Sequence, residues 1–254
     1  MKRLLNHVAI VTGGAGGIGA ATAQLFCEHG AKVVLVDLAD SPLQDVASSI
    51  RTAVHDAEIL EIALDLGEES AAQQVVNQAL KQWGQLDVVV NNAGIRSYEP
   101  LAEATSAMWQ RILSINLLSY AYLAREALPS LRQSPNGNIV NVASTHAIHP
   151  RSGMGQYDVT KAGIVSMTRT LAYEEAGHHV RVNAICPGAT MTPFHIKRAA
   201  DNHISLDVRT ARYEQNLQKR WATPLEIAYP ILWLASPEAS FVTASCLMAD
   251  GGTT

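Results

Sequence analysis

Tyr157 and Lys161 stand four residues apart, and Ser144 precedes the tyrosine by thirteen. On a helix, the i, i+4 spacing puts the phenol and the ammonium on one face. A phenol with a reference pKa of about 10 is mostly protonated at neutral pH. Lowering that pKa by about 3 units takes about 4 kcal/mol of preferential phenolate stabilisation, which a neighbouring ammonium can supply. A tyrosine tuned in this way can take the hydroxyl proton of a carbinol while hydride leaves the carbon, or return a proton to a carbonyl. Ser144, expected where a strand ends, can donate to the same oxygen as charge develops on it. An isolated Tyr-x-x-x-Lys pair is most often a helix-surface pair, so the chemical reading depends on what surrounds it.

Upstream, an apolar run at 8–11 leads into Thr12-Gly13-Gly14-Ala15-Gly16-Gly17-Ile18-Gly19 and then into an apolar-periodic helix. Glycines in a strand-turn-helix let backbone approach a pyrophosphate at a helix N-terminus, where unpaired N–H groups and the dipole favour an anion. Gly13, Gly17, Ile18 and Gly19 are the expected cradle. About twenty residues on, the next run ends at Asp37-Leu38, where a carboxylate can accept hydrogen bonds from an adenosine ribose. Asp37 would repel a 2′-phosphate, and Ala15, Gly16, Leu38 and Ala39 offer no cation to hold one, so NAD is expected over NADP. A strand-end cap or a solvated carboxylate is the other reading of Asp37.

The elements that must position these residues follow from periodicity. Apolar runs at 8–11, 32–36, 59–64, 86–90, 138–142 and 180–185 read as strands buried on both faces. Helical periodicity fills 18–29, 42–53, 68–83, 105–131 and 155–177. The alternation implies βαβ units and a mostly parallel sheet. With 254 residues, 48% hydrophobic, one domain over 1–254 is expected, with no repeat or linker to divide it. The irregular stretch 188–222 is expected to be a substrate-binding loop or lid.

Composition narrows the partners. A net charge of -4 without a basic run gives no footprint for nucleic acid or an anionic membrane, so a small molecule is expected. Cys27, Cys186 and Cys246 are not at metal-ligand spacing, so neither a metal site nor a disulfide framework is expected, and a reducing cytoplasm fits. Residues 1–7 do not read as a signal peptide, and no apolar run reaches the length of a membrane span.

From Asn91-Asn92-Ala93-Gly94 onward the chain resembles the short, single-domain branch of the short-chain dehydrogenase/reductase family. Thr12-Gly-x-x-x-Gly17-x-Gly19, Asn116, Ser144, Tyr157-x-x-x-Lys161, Pro187-Gly188 and Asp250-Gly251-Gly252 fall in the family's order across essentially the whole chain. The resemblance implies an α/β, doubly wound Rossmann fold with a seven-stranded sheet and helices on both faces. It implies catalytic roles for Asn116, Ser144, Tyr157 and Lys161, with Lys161 also holding the nicotinamide ribose and Asn116 positioning a water, a role that needs unusual helix geometry; a buried amide bonded to backbone is the other reading of Asn116. Asp65 and Leu66 would flank the adenine, Asn92, Ala93, Gly94 and Ile115 would line the cleft, and Pro187, Gly188, Thr190 and Thr192 would hold the nicotinamide end. It also implies a homo-oligomer, tetramer or dimer, built on the helices at 105–131 and 155–177. Asp158-Val159-Thr160 and Ala244 depart from the family's more usual residues.

The expected activity is an NAD-dependent interconversion of a secondary alcohol, on a sugar, polyol or cyclic diol, and its ketone. An NADPH-dependent carbonyl or 3-oxoacyl reductase, and a dinucleotide-binding regulatory protein without turnover, are the alternatives. Arg96, His146 and Arg151 are the candidate substrate residues. Either arginine could anchor a carboxylate or phosphate, or be a solvated loop charge. Residues 150–157 are similar to the same region of dehydrogenases that oxidise a cyclic diol acid.

Overall fold

The computed structural model describes residues 2–206 and 216–253. Its strands are β1 (Val8–Thr12), β2 (Lys32–Asp37), β3 (Ile59–Ala63), β4 (Val88–Asn91), β5 (Asn138–Val142), β6 (Arg181–Pro187) and β7 (Cys246–Ala249). They form one seven-stranded sheet in the order β3-β2-β1-β4-β5-β6-β7, and every pairing in it is parallel.

Successive side chains of a strand point to opposite faces, so a sheet covered on both sides needs continuous apolar runs. In β1, Ala9 and Val11 pack into one core while Val8 and Ile10 pack into the other. Val33 and Leu35 of β2 join the first core, and Val34 and Val36 the second. Helices α1 (Gly17–Glu28) and α2 (Leu43–Ala53) cover the first face, through residues such as Phe26 and Ile50. Helix α3 (Glu69–Trp83) covers the second through Val75 and Ala79. Ile10, Leu35 and Phe26 are fully buried, and each such side chain contributes about 2 kcal/mol of transfer free energy.

The stretch expected as one helix over 105–131 is interrupted. Helix α4 (Ser106–Leu113) passes into a π-turn at Ser114–Leu118 before α5 (Ser119–Leu131). The N–H of Ser119 donates to the carbonyl of Ser114, five residues back, so the turn carries one extra residue. Helix α6 (Gly155–Glu175) packs on β6, α7 (Pro193–Asp201) lies inside the stretch expected as a loop, and α8 (Pro224–Ala235) packs on α1.

The periodicity reading has no counterpart of α8, although its capping box is legible. The Thr223 hydroxyl accepts from the Glu226 N–H, and the Glu226 carboxylate accepts from the Thr223 N–H. It also lacks β7, a four-residue strand half-buried throughout. No helix among the described residues is long and apolar enough to cross a membrane.

Strand order reverses between β1 and β4. The connections leaving their carboxyl ends diverge there and open a crevice, the usual ligand site of such sheets.

Candidate active site

The crevice is built first by backbone. The Thr12 hydroxyl accepts from the N–H groups of Asn92 and Ala93 at 2.9 and 3.0 Å. The Asn92 amide donates back to the carbonyls of Thr12 and Gly13 at 2.9 and 3.1 Å. These bonds tie the end of β1 to the end of β4 and hold the glycine loop between them. Gly13 has φ +64, and a Cβ there would stand 2.7 Å from the Asn92 amide nitrogen. Helix α1 starts without a side-chain cap and without an acid in its first turn, so its N-terminal N–H groups face the crevice available to an anion.

Asp37, at the end of β2, accepts from the N–H of Ala15 through one oxygen and from that of Leu38 through the other, at 2.9 and 2.8 Å. A carboxylate offers about four lone-pair directions, so both oxygens can still accept from ribose hydroxyls. Gly13, Gly17, Ile18, Asp37, Leu38, Asp65, Leu66, Asn92, Ala93, Gly94 and Ile115 line one cavity of about 420 Å³. Asp65 is bound to Arg111 Nη1 at 2.9 Å and to the Gly67 N–H at 2.9 Å. Glycine backbone, uncapped helix and acceptor carboxylate together fit a dinucleotide.

A second cavity, of about 720 Å³, adjoins the first through the shared residues Ile18, Asn92, Gly94 and Thr192. Ser144, Tyr157, Lys161, Pro187, Gly188, Thr190 and Thr192 line it, with Arg96, His146 and Arg151. Ser144 follows β5, and its Oγ accepts from the His146 N–H at 3.2 Å. That contact uses a lone pair and leaves the hydroxyl hydrogen free to donate into the cavity.

Lys161, on α6, is buried, and its Nζ donates to the Val142 carbonyl at 2.8 Å. Nζ lies 5.6 Å from the ring centroid of Tyr157. Burial, with the positive charge of Arg96 behind it, pulls the lysine down to about 7. A second phenol, Tyr120, also lies 5.6 Å from this ammonium. Its hydroxyl donates to the Ala93 carbonyl at 3.0 Å, and burial, followed by the neighbouring Tyr157, pushes it well above the usual tyrosine range. Tyr120 therefore keeps its proton, which leaves Tyr157 as the phenol able to exchange one with the cavity.

Two expected site residues do not line either cavity. The side chain of Asn116 is fully buried in the π-turn. Its Oδ1 accepts from the Ile95 N–H at 2.8 Å, and its Nδ2 donates to the Ile95 carbonyl at 2.9 Å and to Thr160 Oγ1 at 3.2 Å. The amide is thus committed to protein groups, and it holds the loop after β4 against α6. Gly19 sits behind the glycine loop, where a Cβ would stand 2.0 Å from the Gly13 carbonyl; it lets α1 pack on the loop.

The substrate side of the second cavity rests on side chains. Arg96 lies over Tyr157 and Phe194, its guanidinium carbon 5.2 and 5.5 Å from the two centroids. The backbone N–H of Arg151 donates to Asp158 at 3.0 Å, so the unusual Asp158 anchors the loop before α6. The Arg151 guanidinium donates from Nε and Nη2 to the Met154 sulfur. The Nδ1–H of His146 donates to the His149 carbonyl at 2.9 Å, and burial keeps this ring below the usual histidine range and so neutral near pH 7.

Sequence reasoning missed Phe194, His195 and Arg198 on α7, and Ile204 and Trp221 beyond it, all lining the cavity. The start of α7 was legible, since Pro193 follows Thr192 as a helix-opening proline. Residues 207–215, also within the expected lid, lie outside the described residues.

Residues 13–254 match the family model described as enoyl-(acyl carrier protein) reductase. The chain is 39% identical over 249 residues to cis-4-hydroxycyclohexanecarboxylate dehydrogenase from Sinomonas cyclohexanicum, covering 98% of this chain and 96% of that one. It is 34% identical to 2,5-dichloro-2,5-cyclohexadiene-1,4-diol dehydrogenase from Sphingobium indicum, over 99% of this chain and 97% of that one. Among solved structures, L-sorbose reductase from Gluconobacter frateurii, complexed with NADPH and L-sorbose, superposes with a TM-score of 0.94 at 32% identity, over 100% of this chain and 98% of that one.

Proposed function

The chain belongs to the short-chain dehydrogenase/reductase family, and from that premise we propose that it interconverts a secondary alcohol carried on a ring, such as a cyclic alcohol, diol or sugar, and its ketone, using NAD and Tyr157 as general acid/base. The observation that carries this reading is the meeting of Ser144, Tyr157 and the buried Lys161 in one cavity that adjoins the one lined by the glycine loop and Asp37. The matched relatives are named for a hydroxycyclohexane acid, a chlorinated cyclohexadiene diol and L-sorbose, which are two ring alcohols and a ketose sugar.

NAD+, when bound, supplies the hydride acceptor. Tyr157 then takes the hydroxyl proton, helped by the ammonium above its ring, while Ser144 donates to the substrate oxygen. Asn116 acts as a positioning residue by fixing Ile95 next to Arg96. The preference for NAD rests on Asp37 and on the absence of any lysine or arginine among the described residues lining the adenosine cavity. NADPH in the L-sorbose reductase structure shows that a relative of this fold holds the phosphorylated form. In this chain, Asp37 stands where a 2′-phosphate would have to be accommodated.

We read 1–254 as one domain in which the described residues of 188–206 and 216–222 border the substrate. The exposed Leu118 and the groove between α5 and α6, lined by Leu117, Met167 and Leu171, make these helices the surface of a homo-oligomer; sedimentation as a monomer would refute that. The three free thiols suit a reducing cytoplasm. The activity is tested by following NADH formation from NAD+ with ring alcohols, polyols and sugars. Turnover of ring alcohols is expected, and silence across the panel despite NADH binding would contradict the proposal.

A further inference from the structure

We propose that the substrate is a ring hydroxy acid, or the corresponding keto acid, whose carboxylate is held by the guanidinium groups of Arg151 and Arg198 across the cavity from Ser144. This rests on the dehydrogenase reading and names the substrate class of that site.

Arg3, Arg51, Arg111, Arg125, Arg132 and Arg220 each pair with a carboxylate at 3.0 Å or less. Arg96, Arg151 and Arg198 all line the second cavity, and none has an ion pair among the described residues. Among the described residues no aspartate or glutamate lines that cavity, whereas Lys161 adds another cation.

Like charges gathered in a partly enclosed space repel one another. The repulsion is visible in Arg151, which burial, and after it Arg96, lowers from the usual guanidinium range. Asp158 offsets part of this from beneath the loop, but its Oδ2 is committed to the Arg151 backbone and it does not reach the cavity lining.

Arg96 and Arg198 are held by ring faces, Arg198 stacking on Tyr98 with its carbon 3.6 Å from the centroid, whereas Arg151 donates from Nε and Nη2 to the Met154 thioether, a weak acceptor that a carboxylate can outcompete. A stacked guanidinium keeps its N–H edge free in its own plane, the edge that grips a carboxylate through two parallel hydrogen bonds. Arg96, lying over Tyr157, is better placed to steady charge near the reacting oxygen. The same cavity is also lined by Ile95, Phe194, Ile204 and Trp221, whose apolar surfaces suit an aliphatic ring. The chemistry that completes this cavity is an apolar ring with a hydroxyl at one end and a planar anion at the other.

The test compares hydroxycyclohexanecarboxylate with methylcyclohexanol, which has the same ring without the charge, as substrates with NAD+. The wild type should favour the acid in kcat/KM by at least about 100-fold, and Arg151→Gln and Arg198→Gln should each cut that preference by about tenfold or more. Arg125→Gln, at a paired surface arginine, should leave the preference intact.

Equal turnover of acid and neutral alcohol would overturn the inference and leave the dehydrogenase reading standing. A stronger preference for a cyclohexyl phosphate bearing the same hydroxyl would overturn the carboxylate assignment. If neither ring is turned over, the dehydrogenase reading is decided by the wider panel of alcohols and sugars, and binding decides the anion site. Saturable quenching of protein fluorescence by cyclohexanecarboxylate, weakened in Arg151→Gln, would uphold it, and no quenching would overturn it.

Discussion

The two cavities are made differently. The dinucleotide side is a backbone construction at the ends of parallel strands, where Thr12, Gly13 and Asn92 tie two strand ends together with bonds of 2.9 to 3.1 Å. The substrate side is a side-chain construction, with Arg96 on the loop after β4, Arg151 on the loop before α6, and Phe194 and Arg198 on α7. A ligand that never changes can be met by main-chain groups whose positions follow from the sheet. A ligand that differs from relative to relative is met by side chains on connections that can vary without disturbing the sheet. Lys161 lies in the substrate-side cavity, hydrogen-bonded to the end of β5, and its charge is buried there.

Changing that lysine is the hardest blow to the comparison. Lys161→Met should lower kcat/KM by at least about 1000-fold, because it removes the ammonium that tunes Tyr157. It should also stabilise the cofactor-free protein. The lysine binds its proton at about 7 when folded against an ordinary 10.5, so between these values the unfolded chain holds more protons, and stability from this group rises with pH. Thermal unfolding near pH 7 should therefore place the variant above the wild type, with the gap closing as pH rises through that window. A variant that melts lower at every pH would show that the hydrogen bond to Val142 outweighs the burial of charge.

Asp37→Ala probes the backbone side alone. The ratio of kcat/KM for NAD+ over NADP+ should fall about 100-fold, while discrimination among alcohols stays as it was. If substrate preference moved with it, the two sides would not be separable. Ala244→Gly touches neither side. Ala244 has φ +57, where a Cβ costs about 1 kcal/mol, so glycine should raise the melting temperature by about 3 °C and leave kinetics unaltered.

The same division explains what could be read from the chain. Strand runs, the glycine loop, Asp37 and the Ser144, Tyr157, Lys161 set are legible because their spacing along the chain is imposed by backbone geometry. Val8 to Val11 announces a strand buried on both faces, and the structure places it in both cores. The π-turn is not legible, because its extra residue is fixed by the bonds of Asn116 to Ile95, 21 residues earlier in the chain. β7 is short and half-buried, so it lacks the apolar run that marks the other strands. Arg96 and Arg151 are visible as arginines near motifs, but that they line one cavity with Arg198, without an ion pair among the described residues, emerges only once α7 is placed. Isolated in sequence, a loop arginine reads as a solvated charge.

The most direct measurement is NADH formation by Tyr157→Phe beside the wild type on a ring alcohol that the wild type oxidises, with NADH binding measured on both proteins. The account predicts that the variant binds NADH with an affinity close to the wild type and loses at least about 1000-fold in kcat/KM, since only the proton-transferring oxygen has gone. Retention of wild-type turnover by the variant would contradict it.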